Sequence, residues 1–379
     1  MPVRLANKTL LALAVAGLTS TAGAQQSAST PVHVSTLRSV PAETTAAAYV
    51  DKSWRAPRTS WGHPSLEGSW STDDSRGVPM SRPREQGERT SLTPEEFAKR
   101  AEEIESGRDF SVNVGTFLRH EFGLRTFGYT SMIVDPPNGQ MPALTEHGQE
   151  LASQRTRGTF GPGPFDGFDD FSLYDRCITR GVLGSLLPVI YGNGVRITQN
   201  PDSVAISYEM IHDTRVIPLD GRRALDNGIR QYMGSARGRF EGDTLVVETT
   251  NFTDKTSVGT NGGGPPNSEQ LKLTERFTRV DPAMIEYVAT VDDPGAYTAP
   301  WTIRLMITSQ PGYQVLEYSC HEGNGAVAHA LSGERTYEVQ VAEAKAKGLP
   351  IPERAVEHEQ IRNGVPGEGQ HVFDINAGE

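Results

Sequence analysis

The chain has 379 residues, a formal net charge of −11 and a hydrophobic fraction of only 36%, with 39 glycines and 25 prolines. That length allows one large domain or two modest ones, and the turn-forming content suits a β protein better than a helical one. The acidic balance repels phosphate backbones and makes nucleic acid a poor partner.

Residues 1–24 read as a signal peptide. Arg4 and Lys8 form a charged start, residues 9–18 are an apolar run too short to span a bilayer, and Ala22-Gly23-Ala24 is an A-x-A cleavage site. No other stretch is apolar enough to cross a membrane once that signal is removed. The expected location is the periplasm, or the medium after secretion. Residues 25–60, rich in Ala, Ser, Thr and Pro, read as a flexible leader.

Residues 61–188 read as an N-terminal segment of short helices and loops packed on a sheet. Trp70 marks a first short strand or a plug. Thr93, Pro94, Glu95 and Glu96 open a helix predicted over 94–105, because Thr caps, Pro fits the first turn and the acids meet the positive helix end. A short strand is predicted at 132–134 and a short helix or turn at 145–155.

Residues 189–336 carry the β pattern. Alternation predicts strands at 195–199, 204–210, 212–218, 234–240, 244–251, 271–280, 285–292, 301–309 and 315–321. At Glu241-Gly242-Asp243 the chain turns back on itself. After that turn Leu245, Val247 and Thr249 share one face, and Thr244, Val246, Glu248 and Thr250 the other. Nine alternating strands in succession favour an antiparallel meander that closes into an up-and-down barrel or a sandwich; such a barrel can hold one small ligand. A helix predicted over 332–347 stops at Gly348-Leu349-Pro350, and 337–379 forms a C-terminal helix and tail.

Two groups of residues could carry chemistry. On an extended strand through 208–215, Tyr208, Met210, His212 and Thr214 face one way, with Glu209, Ile211, Asp213 and Arg215 opposite. His212 would be a general base with Tyr208 as proton donor, and Arg180 or Arg215 would hold developing negative charge. A structural ion pair with Glu209 or Asp213 is the competing use. The second group is Cys320-His321-Glu322. In an oxidising compartment Cys177 and Cys320 are expected to form a disulfide, with a reactive thiol or a metal ligand as alternatives. The bond would bring Arg176 and Arg180 beside His321 and Glu322, as an anion-binding rim or a salt-bridged strand end. No ligand spacing supports a metal site at His212, His321 and Glu322, and no motif calls for an organic cofactor. Glu248, Arg276 and Glu286 read as cross-strand pairs on a wet face.

Several motifs together resemble a large family of exported proteins of proteobacteria and acidobacteria, most of them called hypothetical. They are the run from Gly238 to Phe252 (GRFEGDTLVVETTNF), Cys320-His321-Glu322-Gly323-Asn324 followed by Leu331-Ser332-Gly333, Ser131 to Gly139 (SMIVDPPNG), Asp175-Arg176-Cys177, Glu275-Arg276-Phe277, and Asp292-Asp293-Pro294 with Pro300-Trp301-Thr302. The resemblance covers about residues 60–336. This chain departs from it with Phe240 in place of Trp and Gly325-Ala326 in place of an aromatic. It implies a β-rich, lipocalin-like fold and no particular reaction.

The side chains therefore give two small-molecule expectations, beside a third in which the chain is a structural envelope protein whose charges only solubilise it. One is an exported, cofactor-free acid–base enzyme, a lyase or hydrolase acting on a small aromatic or carbohydrate-derived substrate in a barrel pocket. The other is a periplasmic carrier of a hydrophobic small molecule without catalysis. Both need a small-molecule partner, and neither specifies an oligomeric state.

Overall fold

The computed structural model describes residues 53–113, 123, 125–154, 165–189, 192–226, 228–259, 264–309 and 312–353. The expected signal peptide and most of the expected leader lie outside these residues. Ordered packing begins before Trp61, since Ala56 is buried and Arg58 bridges Pro64.

A ten-stranded, wholly antiparallel sheet dominates the chain. Its strands are β1 (Gly68–Ser71), β2 (Ile133–Asp135), β3 (Gly194–Asn200), β4 (Ser203–Tyr208), β5 (Thr214–Pro218), β6 (Ser235–Glu241), β7 (Thr244–Thr250), β8 (Lys272–Asp281), β9 (Met284–Asp292) and β10 (Trp301–Thr308). The α-helices among the described residues are α1 (Pro94–Asn113), α2 (Glu146–Gln154) and α3 (Ala326–Lys347). None is long and apolar enough to cross a membrane.

Turn chemistry and periodicity account for the hairpins. Glu241 pairs with Thr244 across a two-residue loop in which Gly242 takes φ +61°, a conformation that suits glycine. On β7, Leu245, Val247 and Thr249 are buried on the inner face, as the alternation predicts. Val246 is buried on the opposite face, where Arg239 and Arg276 flank it in register. At the start of α1 the Glu96 amide donates to Thr93 Oγ1 and Glu96 accepts from the Thr93 amide, a reciprocal cap. α3 ends at Gly348, φ +63°, whose amide returns to the last turn.

The sheet order is β5-β4-β3-β1-β10-β9-β8-β7-β6, with β2 also on β10. It is not the simple meander expected from sequence. The short strand at Trp70 is the joint between two meanders: β1 pairs with β3 along its length and meets β10 at Ser71 and Thr308. The segment before β3 is thus part of the same sheet. The strand expected at 315–321 is absent; residues 312–325 form turns and loop.

The expected closure is also corrected. The sheet curls until its edge strands β5 and β6 lie side by side, but no ladder joins them. A Cβ on Gly238 of β6 would stand 2.7 Å from the Ile217 side chain of β5. Antiparallel order along the path makes these two edges run in the same direction. They therefore cannot be joined by a hairpin, and residues 219–234 return the chain along the length of the sheet. Asn251 secures this return by donating to the carbonyls of Leu225, Asp226 and Ile229.

The concave side of the sheet is filled. Trp70, Trp301, Tyr287, Phe277, Ile197, Ile206 and Leu305 are all at most 1% exposed, and Val182, Leu183, Leu186 and Leu187 join the same core.

Candidate functional site: a disulfide-tied rim

The 208–215 stretch is not one strand. β4 ends at Tyr208 and β5 starts at Thr214, with a tight turn between them that contains neither Gly nor Pro. Ile211 (φ +68°) and His212 (φ +48°) both take left-handed conformations, which cost about 1–3 kcal/mol each at non-glycine residues. Met210 and Ile211 are buried in this turn, and burial of that kind favours it. The turn separates what alternation had joined. Tyr208 and Arg215 point into the core, 2% and 4% exposed, while His212 is exposed on the outside. The expected pairing of a His212 base with a Tyr208 donor on one inner wall is therefore not formed.

Inside, Arg215 meets a partner the sequence reading missed. Its Nη1 donates to Glu275 Oε1 at 2.9 Å and its Nη2 donates to Glu275 Oε2 and to Thr249 Oγ1, the latter at 2.7 Å. Tyr287 donates its hydroxyl to Glu275 Oε1 at 3.0 Å. Glu275 is wholly buried. Burial alone would lower the Arg215 pKa; the Glu275 carboxylate outweighs it and holds the pKa above the ordinary value. Burial pushes the Tyr208 hydroxyl up to about 12, and Arg215 only partly opposes that shift. The Tyr208 oxygen lies within electrostatic reach of Arg215 without a well-aligned hydrogen bond. This group is a neutralised ion pair sealed in a core. Arg215 also reaches past β6 to β7 and β8, so it latches the edge that has no ladder.

Outside, the disulfide expected between Cys177 and Cys320 is present, its two ends 143 positions apart in sequence. It ties residues 165–180 to 312–325, and both segments meet the β4–β5 turn. Thr179 donates its hydroxyl to Asp213 at 2.9 Å. His212 Nδ1 lies 3.1 Å from the carbonyl of Tyr318. Asn324 donates to the Asp175 carbonyl at 3.0 Å. The two groups singled out in the sequence thus converge on one rim. Cys177, at φ +56°, is a third strained non-glycine residue there beside Ile211 and His212.

The rim differs from expectation in its arginines. Arg180 turns inward, 3% exposed, and donates to the Leu187 carbonyl, so it does not join His321 and Glu322, which are both exposed. Arg176 pairs with Asp169 at 3.2 Å and lies over the Phe168 ring. The wet-face pairs are also reassigned: Arg239 binds Glu248 at 3.1 Å and Arg276 binds Glu241 at 3.1 Å. Among the described residues no group of three or more His, Cys, Asp or Glu side chains is placed to hold a metal ion. A shallow hollow of about 210 Å³ beside Arg230, Asn251 and Lys272 contains none of the expected site residues.

A carbonyl oxygen can only accept a hydrogen bond. The His212–Tyr318 contact therefore requires a proton on Nδ1, which in the neutral ring places the lone pair on Nε2. This is how a backbone acceptor fixes an imidazole as a proton acceptor. The chain matches no protein-family model, no curated protein and no solved structure.

Proposed function

We propose that the chain is an exported, cofactor-free acid–base enzyme whose site is the disulfide-tied rim. The observation that carries this is the His212 imidazole, exposed, held in a strained turn and bonded through Nδ1 to the Tyr318 carbonyl. Strain at three rim residues supports the reading, because left-handed non-glycine residues persist where the surroundings over-determine them, often at working sites. In an elimination on a small aromatic or carbohydrate-derived substrate, Nε2 takes the C–H proton as the double bond forms and the bond to the leaving group breaks; in a hydrolysis it takes the proton of a water whose oxygen bonds the substrate as the leaving group departs. In both the proton is then returned to the leaving group. His321 and Glu322, next to Cys320, supply further polar contacts to the substrate. Tyr208 takes no part.

The curled sheet is read as barrel-like, with β1 joining two meanders and a parallel, unladdered seam between β5 and β6. Its interior is filled by aromatic side chains and the Arg215–Glu275 pair, which favours a surface site over an internal carrier cavity. Export accords with the disulfide and with the signal-like leader.

The test is turnover of a panel of small aromatic and carbohydrate-derived compounds by the mature protein and by His212→Ala. Loss of a general base costs roughly 100- to 10,000-fold in rate. That loss, with the melting temperature unchanged within a few degrees, is the expected result. Equal turnover by both proteins refutes the assignment. Tight binding of a compound that is never converted replaces it with the carrier reading.

A further inference from the structure

Glu209, the first residue of the rim turn, is only 4% exposed, and every hydrogen bond its carboxylate accepts comes from a neutral donor. Oε2 takes the Tyr313 hydroxyl and, at 3.1 Å, the Gly194 amide; Oε1 takes the Leu316 amide at 2.8 Å. The absence of a side chain at Gly194 is what admits the carboxylate. A Cβ there would stand 2.2 Å from Oε2 and 2.4 Å from the Tyr313 oxygen.

Two of these three donors belong to the loop that leads to Cys320. The same loop presents the Tyr318 carbonyl to His212. The Glu209 main chain acts on the other side of the histidine, its carbonyl accepting the His212 amide at 3.1 Å. One residue thus secures both the backbone of the imidazole and the acceptor that binds its ring. Burying a carboxylate is costly unless hydrogen bonds compensate it, and the Tyr313 and Leu316 donors that do so tie the loop to Glu209.

We infer that Glu209 is a positioning residue for His212: by fixing the 313–318 loop it selects the Nδ1–H tautomer and leaves Nε2 free to take a proton. This rests on the reading of His212 as the base. The class of substrate follows from it, namely one that offers an acidic C–H or O–H to an exposed nitrogen and does not need to be engulfed.

The test is ¹⁵N NMR of the histidine rings in the disulfide-intact protein, at a pH where the His212 ring is neutral. The resonance is assigned by its loss in His212→Ala. Wild type is expected to show Nδ1–H at His212. In Glu209→Gln the ratio of Nδ1–H to Nε2–H should fall roughly fivefold, the factor carried by about one net hydrogen bond. If Glu209→Gln fails to fold, Tyr313→Phe serves instead, because it removes one donor and leaves the Leu316 and Gly194 bonds; its ratio should fall in the same direction. A wild-type ring protonated on Nε2, or a ratio unchanged in the folded variants, overturns the proposal. If the ratio shifts as expected while His212→Ala keeps full turnover, the enzyme reading fails and the positioning role stands.

Discussion

Removing the Glu275 carboxylate tests how far the buried ion pair holds edge strand β5 against the rest of the sheet. Arg215 and Glu275 have side chains 3% and 0% exposed, so neither charge has water to fall back on. Glu275→Leu leaves the guanidinium buried and uncompensated, which costs about 3–5 kcal/mol. It also strips the Tyr287 hydroxyl of its acceptor, a further cost of about 1–3 kcal/mol. Against a total stability of roughly 5–15 kcal/mol for a folded domain, this variant should be barely folded at 25 °C. Arg215→Met should cost a similar amount, because it leaves the carboxylate alone. The double variant has no buried charge left and should recover several kcal/mol relative to the sum of the singles, since a buried pair is worth little more than apolar side chains of the same volume. Urea unfolding of the four proteins, with the disulfide kept oxidised, measures the cycle. Additive losses, or a single-variant loss under about 1 kcal/mol, would mean that the two groups do not share a sealed interior and that β5 does not lie against β6.

Other consequences are open to measurement. Burial raises the Asp73 carboxyl to about 7, while hydrogen bonds from Ser71 and Asn193 pull the other way. A raised acid is stabilising in its protonated form, so its contribution is complete below the unfolded value near 4 and is lost as pH rises through about 7. Asp73→Asn should therefore gain on wild type by up to roughly 4 kcal/mol between pH 4 and 8 in denaturation curves; parallel pH profiles would exclude the shift. Replacing Cys177 and Cys320 by Ser removes a constraint on a very long loop and should cost about 2–5 kcal/mol, and non-reducing peptide mapping of the mature protein should recover the two cysteines linked. Gly194→Ala puts a methyl group on the Glu209 carboxylate and should both lower the melting temperature and move the His212 tautomer as Glu209→Gln does; an unaffected ring would separate the two sites.

Much of the sheet was legible because strand periodicity is local. The hairpins at Pro201-Asp202, Glu241-Gly242-Asp243 and Asp281-Pro282-Ala283 fall where turn residues interrupt alternation. The turn at 209–213 was not legible, because Met210, Ile211 and His212 carry no turn signal. It is formed by tertiary contacts of Glu209 with residues more than a hundred positions away. The partner of Arg215 could have been found. Leu273, Glu275 and Phe277 alternate on one face of β8, with Lys272, Thr274 and Arg276 on the other, so the apolar neighbours assign Glu275 to the dry side. A carboxylate on a dry face requires a buried partner of opposite charge, and Arg215 shares its face with Ile217 in the same way.

The strand count explains why that pair is where it is. In an antiparallel path with an odd number of strands, the two end strands run in the same direction. Inserting the short β1 between β3 and β10 makes that number odd, and the two edges β5 and β6 run the same way. Parallel neighbours need a long return, which residues 219–234 supply, and here they lack the backbone pairing found between every other pair of neighbours on the path. Apolar contact at Ile217 and Gly238 closes the gap sterically but sets no register. A bidentate guanidinium reaching past β6 to Glu275 and Thr249 does set one, because its donors fit a single position. The residue that sequence reasoning offered as an anion holder is, on this argument, the device that fixes the register of a seam created by one four-residue strand.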